Sequence, residues 1–505
     1  MESLHDRPEC AERERSADAP CEEAARPYVL AATIMASAIA SVTGSIILIA
    51  LPLIQRDLGA SYGALQWISN GYTLFLGALI LIGGGAGDRY GRRRIFVIGI
   101  VIFTLASIAC GFAPTSEFLI GGRIVQGIGA ALMVPQSLAI IAASFPKEIR
   151  GRAIGLWASV SALTTAVGPS LGGMLLDATG WRAAFWIAPP FALAALFLAL
   201  RYVPESRNEE ETGPLDWRGA ILAALGFGML TLGLTSLSEQ GATARPLGLI
   251  GVGAVLVILF VFSERSARNA LMPPKLFANR RFAGANAMTL CLYGALGGVL
   301  FLLPFDLIGR RGLSATEVGL TMLPLGVIIG LLSRPMAGLA EDHGPRLFLT
   351  AGSAIAAAAI VWMSFTALGY WVGVVGPLIL LAIGMSFVVS PLTTMVMNSA
   401  PDSQTGTASG VNNAASRIAG LFAIAIIGAV SATVFAGGGQ ELEFGQFPEA
   451  GSAAYSAVEA SFARAHSVSL LVAASWAALA ALLSWFMIGP EKDPKPPAES
   501  AAAGR

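Results

Sequence analysis

Apolar residues in this chain run in long unbroken stretches instead of the short periods of a soluble fold. Tyr28 to Leu51 carries no charge, and a run of about 20 residues is what a helix needs to cross the roughly 30 Å hydrocarbon layer of a bilayer. A second run ends at Gly87, directly before Asp88, and a third extends from Ile95 to Pro114. The fourth, Phe118 to Phe145, holds Arg123 as its single charge, and Ala153–Leu176 and Ala183–Leu200 follow. After a charged segment, Arg201 to Arg218, come Gly219–Leu237 and Leu247–Ser263. A second charged segment, Glu264 to Arg281, precedes Phe282–Leu303 and then Val318–Ala340, which contains Arg334. The 55 uncharged residues from Leu347 to Pro401 divide at Gly369-Tyr370-Trp371. Gly406–Phe435, with Arg417, and Ser467–Ile488 complete fourteen predicted spans.

An even number of crossings returns both ends to one face. The loops of that face carry the excess of Lys and Arg, so the positive-inside rule makes both termini cytoplasmic. Composition narrows the class further: 55% of residues are hydrophobic, 13% are charged and the mean hydropathy is +0.69. A soluble domain has roughly 25% charged residues. A soluble enzyme, a disordered chain and a nucleic-acid binder are excluded, the last also by a formal net charge of zero. The expected fold class is an all-α polytopic membrane protein. Cys10, Cys21, Cys110 and Cys291 form neither a disulfide framework nor metal-ligand spacing, so no metal or cofactor is expected. The polar first 27 residues lack the apolar core of a cleavable signal peptide.

The spans group as six, two and six. The domains expected are a polar tail (1–27), a six-helix bundle (28–201), a linker with two extra helices (202–281), a second six-helix bundle (282–488) and a tail (489–505). An internal echo supports the repeat: Gly87-Asp88-Arg89-Tyr90-Gly91-Arg92-Arg93 follows the second span, and Ala340-Glu341-Asp342-His343-Gly344-Pro345-Arg346 follows the tenth. Parallel repeats of this kind build transport sites near the midplane, between two rocking halves.

Three stretches resemble the major facilitator superfamily, in its fourteen-span drug:proton antiporter branch. They are Gly84 to Arg93 in the loop after the second span, Arg123-Ile124-Val125-Gln126-Gly127 in the fourth, and Val167-Gly168-Pro169-Ser170-Leu171-Gly172-Gly173 in the fifth. The resemblance implies a major facilitator fold, a small amphipathic substrate exported by alternating access, proton coupling, a bacterial inner membrane and a monomer. It also implies a cytoplasmic gate at Asp88, Arg89, Gly91 and Arg92, with Glu341 at the equivalent place in the second half. Asp88 would dock on a helix N-terminus of the opposite half. The alternative for the arginines is simple anchoring at the interface.

The antiporter motif of Gly168, Pro169, Gly172 and Gly173 removes side chains and one amide donor, inviting a bend and close helix approach. Arg123 costs roughly 2.5–3.5 kcal/mol in hydrocarbon, so it should face the interior and have a partner, unless it snorkels to the nearby outer end. The resemblance places it on the proton pathway. Arg417, deeper in its span, is the second candidate for the cavity, with Gln66, Trp67, Tyr72, Asn286, Tyr293, Asn412 and Asn413 as further cavity residues.

The first span departs from the branch. Thr43 stands where related exporters have an acid, and Leu48 replaces an asparagine. No Asp, Glu, His or Lys falls in the middle of any predicted span, and arginine cannot exchange protons at working pH. Asp306, after Leu303-Pro304-Phe305, is the candidate replacement for coupling, against a solvated loop acid paired with Arg310 or Arg311. Asp177, Glu239 and Glu317 sit at outer helix ends, and the glycine-rich loop from Ala436 to Ala465 is expected to be flexible. Without a midplane acid the cavity has little reason to prefer cations over neutral or anionic amphiphiles. An uncoupled facilitator or importer of an organic anion and a non-transporting sensor stay open as alternatives. An enzyme does not, since no acid pair or nucleophile constellation accompanies the spans.

Overall fold

The computed structural model describes residues 23–207, 216–241, 243–267, 272–401, 404–449, 451–452 and 454–489, and these contain no strand. Residues 1–22, with Cys10 and Cys21, the tail from 490 and the side chain of Glu239 lie outside the described residues. The helices are α1 (Arg26–Leu58), α2 (Tyr62–Tyr90), α3 (Arg92–Gly111), α4 (Ser116–Ser144), α5 (Lys147–Thr179), α6 (Ala183–Trp186), α7 (Ala188–Tyr202), α8 (Trp217–Gln240) and α9 (Ala244–Ser266). The second half follows with α10 (Arg280–Pro304), α11 (Ala315–His343), α12 (Pro345–Met363), α13 (Gly376–Ser386), α14 (Val389–Asn398), α15 (Thr405–Ala436) and α16 (Tyr455–Met487).

Thirteen of the helical segments are long and apolar enough to cross a membrane, and α2, bent by 50° between Ile80 and Ile82, makes the fourteenth crossing. Short α6 and α7 share one crossing. A π-helical turn (Trp371–Val375) leads into α13 and α14 in another, and a second π turn (Phe305–Arg310) extends α10. Local chemistry sets the starts: Ser61 accepts the Ala64 N–H at 3.1 Å, Thr115 accepts that of Phe118, and Ser314 with Glu317 forms a capping box. The chain is an integral membrane protein with two six-helix bundles and an extra pair, α8 and α9. Of that pair, α8 leans on both halves: Gly228 faces Leu74 of α2, and the Phe227 ring lies 6.0 Å from Phe422 of α15.

Crossings alternate, so Arg26 and Met487 share one face, the terminal face; the other is the far face. On the far side the two bundles meet closely. A Cβ on Gly173 would enter the Ala315 carbonyl, one on Gly319 would enter that of Pro169, and the Ser170 hydroxyl donates to the Gly319 carbonyl at 2.9 Å. Gly168 and Gly172 turn instead to α1, against Ser45 and Ile46. The glycines therefore serve two close approaches, and α5 runs unbroken through Pro169. Nearer the terminal face a Cβ added at Gly151 or Gly155 of α5, or at Gly330 or Gly338 of α11, would meet nothing within 4 Å.

Two carboxylates close the far side reciprocally. Asp177 at the end of α5 accepts the N–H groups of Ala315 (3.0 Å) and Thr316 (2.8 Å) at the start of α11. Glu443, beyond α15, accepts the N–H of Tyr62 at 2.6 Å at the start of α2. The expectation of a flexible loop from Ala436 to Ala465 is overturned here. The helix α16 begins at Tyr455, and the segment before it packs between the halves. Phe444 is 1% exposed, with its ring 5.0 Å from Tyr62 and 4.6 Å from Phe462, and its carbonyl accepts from Gln55 at 3.2 Å. Gly445 turns beside it at a φ of 89°, where a Cβ would strike Phe305 and Gln55.

Overpacking a tight contact costs about 1–3 kcal/mol. Gly173→Val and Gly319→Val are expected to lower the melting temperature of the purified protein, and Gly151→Val to leave it unchanged. Equal melting of all three would show that α5 and α11 do not touch where described.

Candidate functional site

Arg123 is fully buried in the first bundle and does not snorkel. Its Nε donates to the Ile68 carbonyl at 2.9 Å, one Nη donates to Gln126 Oε1 at 2.5 Å, and the guanidinium stacks 4.4 Å from the Tyr72 ring centroid. Gln126 is held in turn by donating to Ser107 at 3.1 Å, and Tyr72 by donating to the Ala40 carbonyl at 3.0 Å. Hydrogen bonds to a charged group contribute about 1.5–3 kcal/mol each. A desolvated cation–π contact adds about 2 kcal/mol. Together they exceed the insertion cost of roughly 2.5–3.5 kcal/mol, so dipoles and a ring stand in for the missing acid.

Arg417 is different. It is half-buried on α15, its Cβ lies against Gly77 of α2, and it makes no hydrogen bond or ion pair among the described residues. Tyr72 lies within charge reach of both arginines, which places Arg417 at the junction of the two bundles.

The other predicted cavity residues do not form one lining. Gln66 is buried where α2, α8 and α15 meet, packed on Gly428 and accepting from Thr235 at 3.3 Å. Asn286 is buried in the second bundle, donating to the Phe282 carbonyl. Asn412 donates to Asn286 (3.3 Å) and Thr289 (2.8 Å), binding α15 to α10. Trp67 and Tyr293 are half-buried and Asn413 is exposed. Thr43, in the place of the acid, is 1% exposed and its hydroxyl has no partner among the described residues.

At the terminal face, Asp88 bonds Arg92 within its own turn (2.7–2.8 Å) and does not reach the opposite half. Arg89 lies over Tyr90, and Gly91 carries a φ of 105° between α2 and α3. A residue that no motif in the sequence marks organises this turn. Glu205, after α7, accepts the N–H groups of Arg93 (3.0 Å) and Arg94 (3.2 Å) and caps α3. Glu341 is exposed and lines a cavity of about 270 Å³ with Asn279, Arg281, Thr394 and Asn398. Arg334 is exposed on the same side of the second bundle.

Asp306 is no solvated loop acid. It is 2% exposed and carries two ion pairs, to Arg310 Nε at 2.6 Å and Arg311 Nε at 2.8 Å. Beside it lies His466, which falls outside the apolar run Ser467–Ile488 and nevertheless sits inside α16, 3% exposed. A signal for this exists in the sequence: Val458, Phe462 and Ala465 continue the buried stripe of α16 upstream of Ser467 at helical spacing.

The Major Facilitator Superfamily model matches residues 33–424. The multidrug resistance protein Stp of Mycobacterium tuberculosis is 33% identical over 389 residues, 77% of this chain and 72% of the relative. The tetracenomycin C resistance and export protein of Streptomyces glaucescens is 32% identical over 414 residues, 81% of this chain and 76% of the relative. A bacterial homologue of the human lysosomal transporter Spinster, crystallised in an inward-facing and unoccupied conformation, shares the fold with a TM-score of 0.68. Its identity is 17%, and the match covers 92% of this chain and 97% of that one. Fourteen crossings, two bundles meeting at glycines of α5 and α11, and these relatives converge on one statement: the chain is a transporter-fold member of the Major Facilitator Superfamily.

Proposed function

We propose that this protein exports small amphipathic compounds across a bacterial inner membrane by alternating access, driven by the proton gradient. The observation that carries the reading is the close far-side contact of the bundles: α5 and α11 touch from Ala166 and Gly326 to Gly173 and Ala315, whereas a Cβ on their glycines nearer the terminal face would meet nothing within 4 Å. With both termini cytoplasmic, as the basic loops argue, this supports reading the state as inward-facing, ready to take substrate from the cell. The roles named for the relatives, multidrug resistance and the resistance to and export of tetracenomycin C, support export as the direction.

Substrate contact falls to Arg417, the half-buried cation at the junction of the halves, with Asn413 the most open of the polar and aromatic candidates. Its charge faces no carboxylate among the described residues, so the cavity favours neutral and anionic amphiphiles over lipophilic cations. The same unneutralised cation is what favours the second reading, a facilitator of an organic anion without coupling. Arg123, enclosed by Tyr72, Gln126 and the Ile68 carbonyl, positions the first bundle and does not meet the substrate. Asp88 and Arg92 gate the terminal face, paired with each other in this state and free to engage the other half when that face closes.

In an exporter-deficient bacterium expressing this chain, efflux of carboxyfluorescein and of Nile red is expected to exceed that of ethidium and to stop on addition of a protonophore. Efflux that persists with protonophore would favour the facilitator, and none of any probe would overturn transport of amphiphiles. Arg417→Glu, at matched expression, is expected to reverse the order of probes in favour of ethidium; an unchanged order would remove Arg417 from the cavity. Arg123→Ala is expected to destabilise the fold by about 2–4 kcal/mol, from lost charged hydrogen bonds and an unfilled core volume. A melting temperature equal to wild type would show the arginine to be dispensable for the bundle.

A further inference from the structure

The far-side seal covers a charge cluster that closure of the halves does not require. One carboxylate, Asp306, 2% exposed, faces two half-buried guanidiniums, Arg310 and Arg311, leaving an excess positive charge. His466 lies within charge reach of all three. Its imidazole stacks on Phe462 (centroids 5.8 Å apart), which stacks on Phe444 of the seal at 4.6 Å. Nδ1 of His466 has no hydrogen-bond partner among the described residues, and neither does the hydroxyl of Ser469, fully buried one turn further along the same face towards the terminal side. Two buried polar atoms without partners, in line on one helix face, are the footing of a water-bridged path.

Among the described residues no other charge competes at this level. The helices α10, α12 and α15, which pack on α16, hold Arg280, Arg281, Arg346 and Arg417, all on the terminal side of the midplane, and α10 adds only Cys291 and Tyr293 near its middle. On α16 itself Arg464 is exposed, Glu459 is half-buried a turn or two nearer the far face, and Tyr455 donates to the Arg310 carbonyl. From the seal, Glu443 is engaged on the Tyr62 amide. A proton on His466 would add a second uncompensated positive charge while the seal is shut. Opening the seal admits water that screens the arginines.

We propose that His466 carries the coupling proton, taken from far-face water when the Phe444 seal opens and released past Ser469 when it closes. The inference rests on the proton-driven reading above. The step is a transfer only: hydronium outside gives its proton to the imidazole nitrogen, the neutral ring is restored when water on the inner route accepts that proton, and no other bond changes. Asp306 is then a positioning residue, its charge held by the arginines, and histidine supplies what Arg123 and Arg417 cannot, a side chain that has a neutral form at working pH.

Two measurements on the full-length protein test this. The chain has three histidines, so in ¹⁵N-histidine-labelled protein His466→Gln identifies the His466 signal by subtraction. At a given acidic pH a larger charged fraction is expected in Glu443→Gln, which loosens the seal, than in the wild type. In proteoliposomes, His466→Gln is expected to keep carboxyfluorescein counterflow and to lose its accumulation driven by a pH gradient. An imidazole that responds alike in both proteins, or His466→Gln vesicles that still concentrate the probe, would overturn the proposal. Loss of counterflow as well would mark a structural residue and overturn it too. Wild-type vesicles that move no probe would defeat the exporter reading, while the histidine titration decides His466 independently.

Discussion

The far side of this protein is held by carboxylates seated on helix ends across the boundary between the halves. The first amides of any helix lack partners within it, and the helix dipole favours negative charge there. Asp177 of the first half satisfies two such amides of α11, and Glu443 of the second satisfies the first amide of α2. Each partly exposed contact of this type contributes roughly 0.3–1 kcal/mol, rising to about 2 kcal/mol where solvent is restricted. Contacts of that size align the bundles and still yield to a ligand that prefers the opposite state by a few kcal/mol. The aromatic group around Phe444 then excludes water from what the carboxylates have aligned.

The two caps also express the internal repeat. In each half the segment after the fifth crossing reaches the start of the second crossing of the other half. The repeat is visible in sequence only at the terminal face, in the turns at Gly87–Arg93 and Ala340–Arg346. The docking of a carboxylate on a helix of the opposite half, which the sequence suggests for Asp88, is made in this state by Asp177 at the other end of the molecule.

Three buried or half-buried arginine sites illustrate how a low-dielectric interior handles a cation. Arg123 is enclosed by a carbonyl, an amide and a ring, so it needs no acid and has little freedom to act as a switch. Arg310 and Arg311 share Asp306, which makes that cluster rigid and positively biased. Arg417 has no such compensation among the described residues, and a cation left open at the junction between the halves is where an anionic or polar ligand group would gain most.

How much of this was legible in the chain follows from the range of the interactions. Membrane class, fourteen crossings, the glycine contacts of the fifth span and the need to bury Arg123 all follow from residues near one another, because the bilayer demands long apolar runs and satisfied backbones. Partners far apart in sequence were not legible: Glu205 caps a helix 111 residues away, Glu443 caps one 381 residues away, and Asn412 ties to Asn286. Nor could charge counting place His466, since only the packing of Val458 and Phe462 against the second bundle draws the segment before Ser467 into α16. The sequence by itself determined that the chain lies in a membrane and how often it crosses, because hydropathy is a local property. Which polar side chains are enclosed, and which stay open between the halves, was decided by tertiary packing, because burial depends on neighbours that the chain order does not name.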